Sequence, residues 1–352
     1  MKVLYKIFLI YLFQISQSLA IPEASYTTNY ISDINISGPA DQISYGQVIK
    51  NSGSWSGIGI CNNSDIQYTL SRVEYEPIAQ WTGQTYQATS AHPTINLFET
   101  GISGFSFSPM GGMSYNAPND FKPLPISKTI VWQGNMNNSA RLSSPIRVTI
   151  GVYIYKGPER ITGSLVIPSK KMYRYVCYDQ AGKAQEATSV MYNAINVNAT
   201  ISSCAPINKV ITLDMDKIPA SLIKNSDALT NIGTKQQTFS LLCDPNVQVF
   251  ASVVDLADTT NKSTVSKLTP NSSASGIGFS VTNSSGQRLQ FGPDGSAANI
   301  PGQQKYFIQR AGNSDKNNPI SYSLGFSYVR KPEEAFKTGT AMSVIGITYS
   351  YQ

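Results

Sequence analysis

One histidine in 352 residues, His92, is the first shortage that limits what this chain does. Ser-His-Asp and Cys-His systems need an imidazole beside a hydroxyl or thiol, and His92 sits in the turn-like Ala91-His92-Pro93 with no nucleophile motif nearby. Cysteine is almost as scarce. Cys61, Cys177, Cys204 and Cys243 contain no C-x-x-C pair, so four cysteines and one histidine do not read as a zinc site. No metal or other cofactor is expected. Only 14% of residues are charged, and Lys2 and Lys6 supply two of the formal +6. Lys and Arg form no block interleaved with aromatics, which argues against a nucleic-acid partner. No apolar run approaches the roughly 20 residues needed to span a bilayer, and no segment sustains a helical period.

Paired carboxylates are missing too. Asp214 and Asp216 share a strand face opposite Ile211, Leu213 and Met215, the pattern of a solvated sheet surface. Glu159 and Asp179 are too isolated to suggest the two carboxylates of a glycosidase. Gly276-Ile277-Gly278-Phe279 lacks the lysine and following helix of a phosphate cradle. The chain is therefore not expected to be an enzyme.

What is present points to export. Lys2 and Lys6 flank the apolar Ile7 to Phe13, and Ser16, Ser18 and Ala20 follow, which predicts a signal peptide over 1–20 and a mature chain from Ile21. An even number of cysteines suits an oxidising compartment. Three pairings are open, and the simplest keeps each bridge within one half of the chain: Cys61 with Cys177, Cys204 with Cys243.

Strand-like alternation recurs throughout. Val148, Ile150, Val152 and Ile154 alternate with Thr149, Gly151, Tyr153 and Tyr155, and a second run covers Ile161 to Ile167. In the second half Ile211 to Asp216, Phe239 to Cys243, Val247 to Val253 and Tyr322 to Tyr328 behave alike. The fold class predicted is all-β, two β-sandwich domains in tandem. A polar stretch, Asn193 to Ser203, places a linker at 202–203 between a domain over 21–201 and one over 204–352. The second holds about six strand candidates, one short of a seven-strand immunoglobulin-like sandwich. Its last, Ala341 to Gln352, puts Ala341, Ser343, Ile345, Ile347, Tyr349 and Tyr351 on one face, with no later sequence to pair with. Such an edge aggregates unless another chain covers it.

At these residues the second half resembles the pilin domain of a bacterial chaperone-usher pilus. The resemblance is carried by Cys204 and Cys243 with Leu213 to Ile218 between them, and by Phe239-Ser240-Leu241-Leu242-Cys243. It extends through Ala274-Ser275-Gly276-Ile277-Gly278-Phe279, Gly286, Leu289-Gln290-Phe291-Gly292 and the closing Tyr349-Ser350-Tyr351-Gln352, with Gly339 fourteenth from the end and Tyr351 next to last. The resemblance implies an incomplete sandwich, finished first by a strand of a periplasmic chaperone and then by the adjacent pilus subunit after passage through the outer-membrane usher. Gly339, Ala341, Ile345, Ile347, Tyr349 and Tyr351 would line or flank that groove. The long N-terminal half has the layout of the two-domain tip adhesins, related in layout to the pilus lectins, and Phe98 to Phe107 and Tyr155-Lys156-Gly157-Pro158 resemble adhesin-domain motifs. That layout implies export through the periplasm to the pilus tip.

A receptor site is argued from chemistry alone. A sugar needs an aromatic face and convergent amide or carboxylate groups. Trp81, Gln84 and Tyr86 offer them around Gly83, Tyr115, Asn116 and Asp120 near Gly111-Gly112, and Trp132 with Asn135 is a third candidate. The receptor is a host glycan or a host surface or matrix protein. A structural pilus subunit without a receptor and a secreted carbohydrate-active β-sandwich protein are the alternatives.

Overall fold

The computed structural model describes residues 20–87, 94–113 and 121–352. The predicted signal peptide, apart from Ala20, lies outside these residues, as do His92, Tyr115, Asn116 and Asp120. Among the described residues no helix is long and apolar enough to cross a membrane.

In chain order the first half forms β1 (Glu23–Thr27), β2 (Ile34–Pro39), β3 (Val48–Asn51), β4 (Trp55–Ile60), β5 (Leu70–Pro77), β6 (Trp81–Tyr86), β7 (Ile95–Glu99) and β8 (Phe105–Met113). There follow β9 (Lys122–Pro123), β10 (Thr129–Met136), helix α1 (Asn138–Ser143), β11 (Ile146–Lys156), β12 (Gly163–Ile167), β13 (Lys170–Asp179), β14 (Ala184–Tyr192) and β15 (Ile195–Ser202). The second half adds β16 (Cys204–Pro206), α2 (Ala220–Lys224), β17 (Ile232–Cys243), β18 (Gln248–Asp255), β19 (Ile277–Thr282), β20 (Tyr306–Arg310), β21 (Asn318–Arg330) and β22 (Ile345–Tyr351).

The all-β prediction holds. In the first half a sheet ordered β1-β14-β13-β5-β10 and a larger one built on β3-β11-β8-β7-β6 share one core, with β12-β15-β2 as a third sheet. Ile146, Val148, Ile150, Val152 and Ile154 of β11 are fully buried in it, so truncating any one of the three isoleucines to alanine costs about 2–5 kcal/mol. Cys61–Cys177 forms within this half, across 116 residues. Arg141 of α1 is buried beside it and donates to the Cys61 carbonyl at 2.9 Å and to Glu186 at 2.8 Å, which anchors the backbone around the bridge.

The linker prediction meets a strand. β15 runs to Ser202 and pairs with β2 through Ser202↔Pro39, and β16 begins at Cys204. The stretch looks polar because its outward residues Asn196 and Asn198 are exposed, while Ile195 and Val197 between them are buried.

The second half stacks β16-β17-β21-β19 against β20-β18-β22, with Cys204–Cys243 joining β16 to β17. Seven strands stand where the alternation predicts about six: the candidate at 211–216 is not a strand, and two short strands without clean alternation, β16 on β17 and β20 on β18, are not predicted by it. Residues 209–219 alternate half-buried Ile211, Leu213 and Met215 with exposed Thr212, Asp214 and Asp216, yet form no strand. Alternation places side chains, but a strand also needs a neighbour for its backbone. Here side chains of the adjacent sheet substitute, with Lys235 donating to the Asp214 carbonyl and Tyr328 to the Asp216 carbonyl.

Candidate strand-docking site

The last strand has one neighbour. β22 pairs antiparallel with β18, and Gln352 and Gln248 exchange both backbone hydrogen bonds at 2.9 Å. Antiparallel alternation then turns the N–H and C=O of Ser350, Thr348 and Gly346 toward β18, and those of Tyr351, Tyr349, Ile347 and Ile345 away from it. No other strand among the described residues pairs along that far edge.

The core beneath it is open. Around Val253, Val281, Leu289, Phe291 and Leu324, which are buried, lie six apolar residues only partly covered: Phe239, Tyr306, Tyr322, Phe326, Ile345 and Ile347. The core of the first half has the opposite balance, with buried residues far outnumbering half-buried ones. A sandwich missing one edge strand leaves this signature, since apolar side chains are in place but nothing excludes water.

Each sequence-predicted groove residue has a definite place. Ile345 and Ile347 are half-buried on this core. Tyr349 is half-buried too, its hydroxyl 2.8 Å from that of Tyr322 with the rings edge-on at 6.2 Å; burial pushes both hydroxyls up. Ala341 precedes β22 and packs on a separate cluster with Ile218 and Ile232. Gly339 holds no side chain in the groove: a Cβ there would stand 2.5 Å from Ser273 Oγ and 2.7 Å from Ala274 N, so glycine permits a close approach of two backbones.

Tyr351 departs from expectation. It is buried rather than groove-lining: its ring packs in a second-half core with Cys204, Cys243, Val247 and Val249, its hydroxyl donates to the Cys204 carbonyl at 2.9 Å, and Ala40 of the first half joins that core. The Asp41 N–H donates to the Tyr351 carbonyl at 2.9 Å, and the Tyr351 N–H donates to Asp41 Oδ2 at 3.0 Å. Arg160 lies 4.1 Å over the Tyr351 ring, pairs with Asp41 at 2.8 Å and donates to the Tyr349 carbonyl at 2.8 Å. Asp41 also accepts from Ser296 Oγ at 2.6 Å. Burial pushes the Tyr351 hydroxyl up to about 12, against the pull of Arg160. Two nearby lysines complete the junction. Lys156 is fully buried and donates to the Gly157 and Glu159 carbonyls; Lys305 donates to the Ser296 carbonyl. Burial depresses both to about 8, with Asp41 partly offsetting and Arg160 adding to the depression. Sequence reasoning missed this cluster because its members are isolated in the chain, with no motif around them.

The receptor candidates separate. Trp81, Gln84 and Tyr86 lie on β6, an edge strand rather than a loop. Trp81 is 39% exposed, with its Nε1–H spent on the Gln84 carbonyl at 3.1 Å, so it presents an apolar face. Tyr86 is structural. Its ring packs on Tyr45 and Tyr155 at 6.4 Å each and fills the space beside Gly46, where any Cβ would meet it at 2.1 Å. Gln84 receives the Tyr45 hydroxyl at 3.2 Å and lines a cleft of about 340 Å³ with Thr82, Glu99, Thr100 and Glu159. That cleft joins the two adhesin-like motifs, since the Gly157 N–H donates to the Gly104 carbonyl at 2.8 Å. Trp132 and Asn135 stand on β10, the edge of the other sheet, with Trp132 half-buried on the core and Asn135 exposed. The structure thus brings Gln84 to a cleft and leaves Trp132 with Asn135 on another sheet.

No family model matches the chain. It is 28% identical over 174 residues to the F17c-G and F17a-G fimbrial adhesins of Escherichia coli, which covers 49% of this chain and 48% of each relative. The chain spans about half the length of the curated relatives it matches. Among solved structures, the AtfE adhesin of Proteus mirabilis overlays 51% of this chain and 99% of its own at a TM-score of 0.37 and 13% identity. The CupB6 tip adhesin of Pseudomonas aeruginosa overlays 94% of each chain at a TM-score of 0.29 and 14% identity. The sequence match to named fimbrial adhesins agrees with the tip-adhesin resemblance read from the residues.

Proposed function

We propose that this chain is the non-enzymatic tip adhesin of a chaperone-usher pilus, exported through the periplasm to the cell surface. Its second half accepts an extended strand along β22 from the periplasmic chaperone and then from the adjacent subunit. Its first half binds a host glycan or host surface protein. The observation that carries the reading is the far edge of β22, opposite β18, where Ile345 and Ile347 stand half-buried and no strand among the described residues pairs. Backbone pairing supplies affinity in such a groove, and alternate side chains set the register.

For the receptor, the β6 edge is favoured over β10, because an exposed Trp81 face stands on the strand whose Gln84 lines a cleft. Tyr86 is not assigned to it. The test is an array of glycans and host proteins probed with the full chain held by its chaperone. Binding that free sugar competes away and that Trp81→Ala weakens at least tenfold supports a glycan site on β6. Binding to host proteins that sugars leave untouched supports a protein receptor. A chain that binds nothing on either array is a structural subunit.

A further inference from the structure

We infer that the first half ends the docking edge: Asp41 and Arg160 occupy the last backbone groups of β22, so an incoming strand pairs up to Tyr349 and no further. This inference rests on the proposed strand docking and adds where the docked strand must stop.

The far edge of β22 is filled at one end only. Tyr351 has both its backbone groups taken by Asp41, the carbonyl by the Asp41 N–H and the N–H by the Asp41 carboxylate. Asp41 therefore stands where a residue of a neighbouring strand would, with its side chain doing the work of a second backbone carbonyl. Arg160 takes the next group along, the Tyr349 carbonyl. Past that point nothing competes. The Tyr349 N–H and both backbone groups of Ile347 and Ile345 meet no partner among the described residues. Upstream, the Thr340 and Met342 amides turn to Ser273 and Ser272, the side opposite the open edge. The edge is open toward Ala341 and closed at Tyr351.

The closure resists displacement. The Asp41 carboxylate is fully buried and accepts from Arg160, Ser296 and Tyr351 together, while Arg160 stacks on the Tyr351 ring. A strand pushing past Tyr349 would have to strip a buried carboxylate of its partners, which a replacement backbone amide does not repay. The fitting partner is an extended segment with alternating apolar side chains. Opposite β22 it spans Ile345 to Tyr349, about 16 Å at the usual rise per residue.

Amide hydrogen exchange on the full chain tests this, with a lysine-flanked peptide of alternating valine and threonine as the strand probe. In the free chain the Tyr351 amide should exchange at least about tenfold more slowly than that of Ile347. Added peptide should slow Ile345, Ile347 and Tyr349 and leave Tyr351 unchanged. In Asp41→Ala with Arg160→Met, Tyr351 should lose its protection and regain it when peptide is added. A wild-type footprint that adds protection at Tyr351, or a free chain in which Tyr351 exchanges as fast as Ile347, overturns the stop while leaving docking intact. Absence of any footprint overturns docking itself, and the stop with it.

Discussion

Removing Arg160 should cost more than removing the charge it neutralises. Asp41 is 0% exposed on its side chain and Arg160 is 26% exposed. In Arg160→Met the carboxylate stays buried with only the Ser296 hydroxyl and the Tyr351 N–H as direct donors. Breaking a buried ion pair from one side costs about 3–5 kcal/mol. Lys156 and Lys305 still face the carboxylate electrostatically, so the cost should fall near 3 kcal/mol, the low end of that range. Asp41→Asn leaves a guanidinium that already reaches water, and about 1–2 kcal/mol is expected. Asp41→Ala with Arg160→Met leaves no unpaired buried charge, and its cost should fall short of the sum of the single changes by at least about 1 kcal/mol. Urea unfolding of the full chain, followed by circular dichroism across this cycle, measures all of these. An Arg160→Met chain within about 0.5 kcal/mol of wild type, or strictly additive costs, would refute the assignment of this junction as a buried, coupled pair.

Four further outcomes follow. The depressed lysines set a pH dependence: the unfolded chain binds more protons than the folded one between about 8 and the ordinary lysine value of 10.5, so stability should rise as pH climbs from 8. Lys156→Met should flatten that rise by up to about 1.4 kcal/mol per pH unit in thermal or urea unfolding between pH 8 and 9.5, below the range where tyrosines ionise. Replacing Cys204 and Cys243 opens a loop of 39 residues and should cost about 4 kcal/mol, with disorder appearing first in the second half by hydrogen exchange. Gly339→Ala should destabilise by about 1–3 kcal/mol, since its methyl has no space against Ser273 and Ala274. Trp81→Ala should weaken receptor binding with little change in melting temperature, whereas Tyr86→Ala should lower the melting temperature by opening the packing with Tyr45 and Tyr155.

The parts of this architecture that sequence makes legible are those written in local periodicity. β11 and β22 announce themselves because large apolar residues alternate along the chain, although the structure buries both faces of β11 and leaves Ile345 to Tyr349 half-buried at every position. The bridges Cys61–Cys177 and Cys204–Cys243 follow from keeping each within a half. Residues 209–219 show the limit of that signal: the pattern is right, but a strand also requires a backbone partner. Tyr86 shows another, since an aromatic beside glycines and glutamines reads equally as a sugar platform or a packing block, and only Gly46 opposite decides. The junction was invisible. Asp41 and Arg160 are 119 residues apart, and Asp41 meets Tyr351 across 310, so no local pattern could relate them.

The central claim, that another chain completes the second half, is tested most directly by expressing the full chain in a bacterial periplasm with and without its pilus chaperone. The account predicts a soluble one-to-one complex with the chaperone, and aggregation or degradation without it. An equal yield of soluble monomer in both cases, with the Ile347 amide as protected from exchange as the core amides of β18, would contradict it.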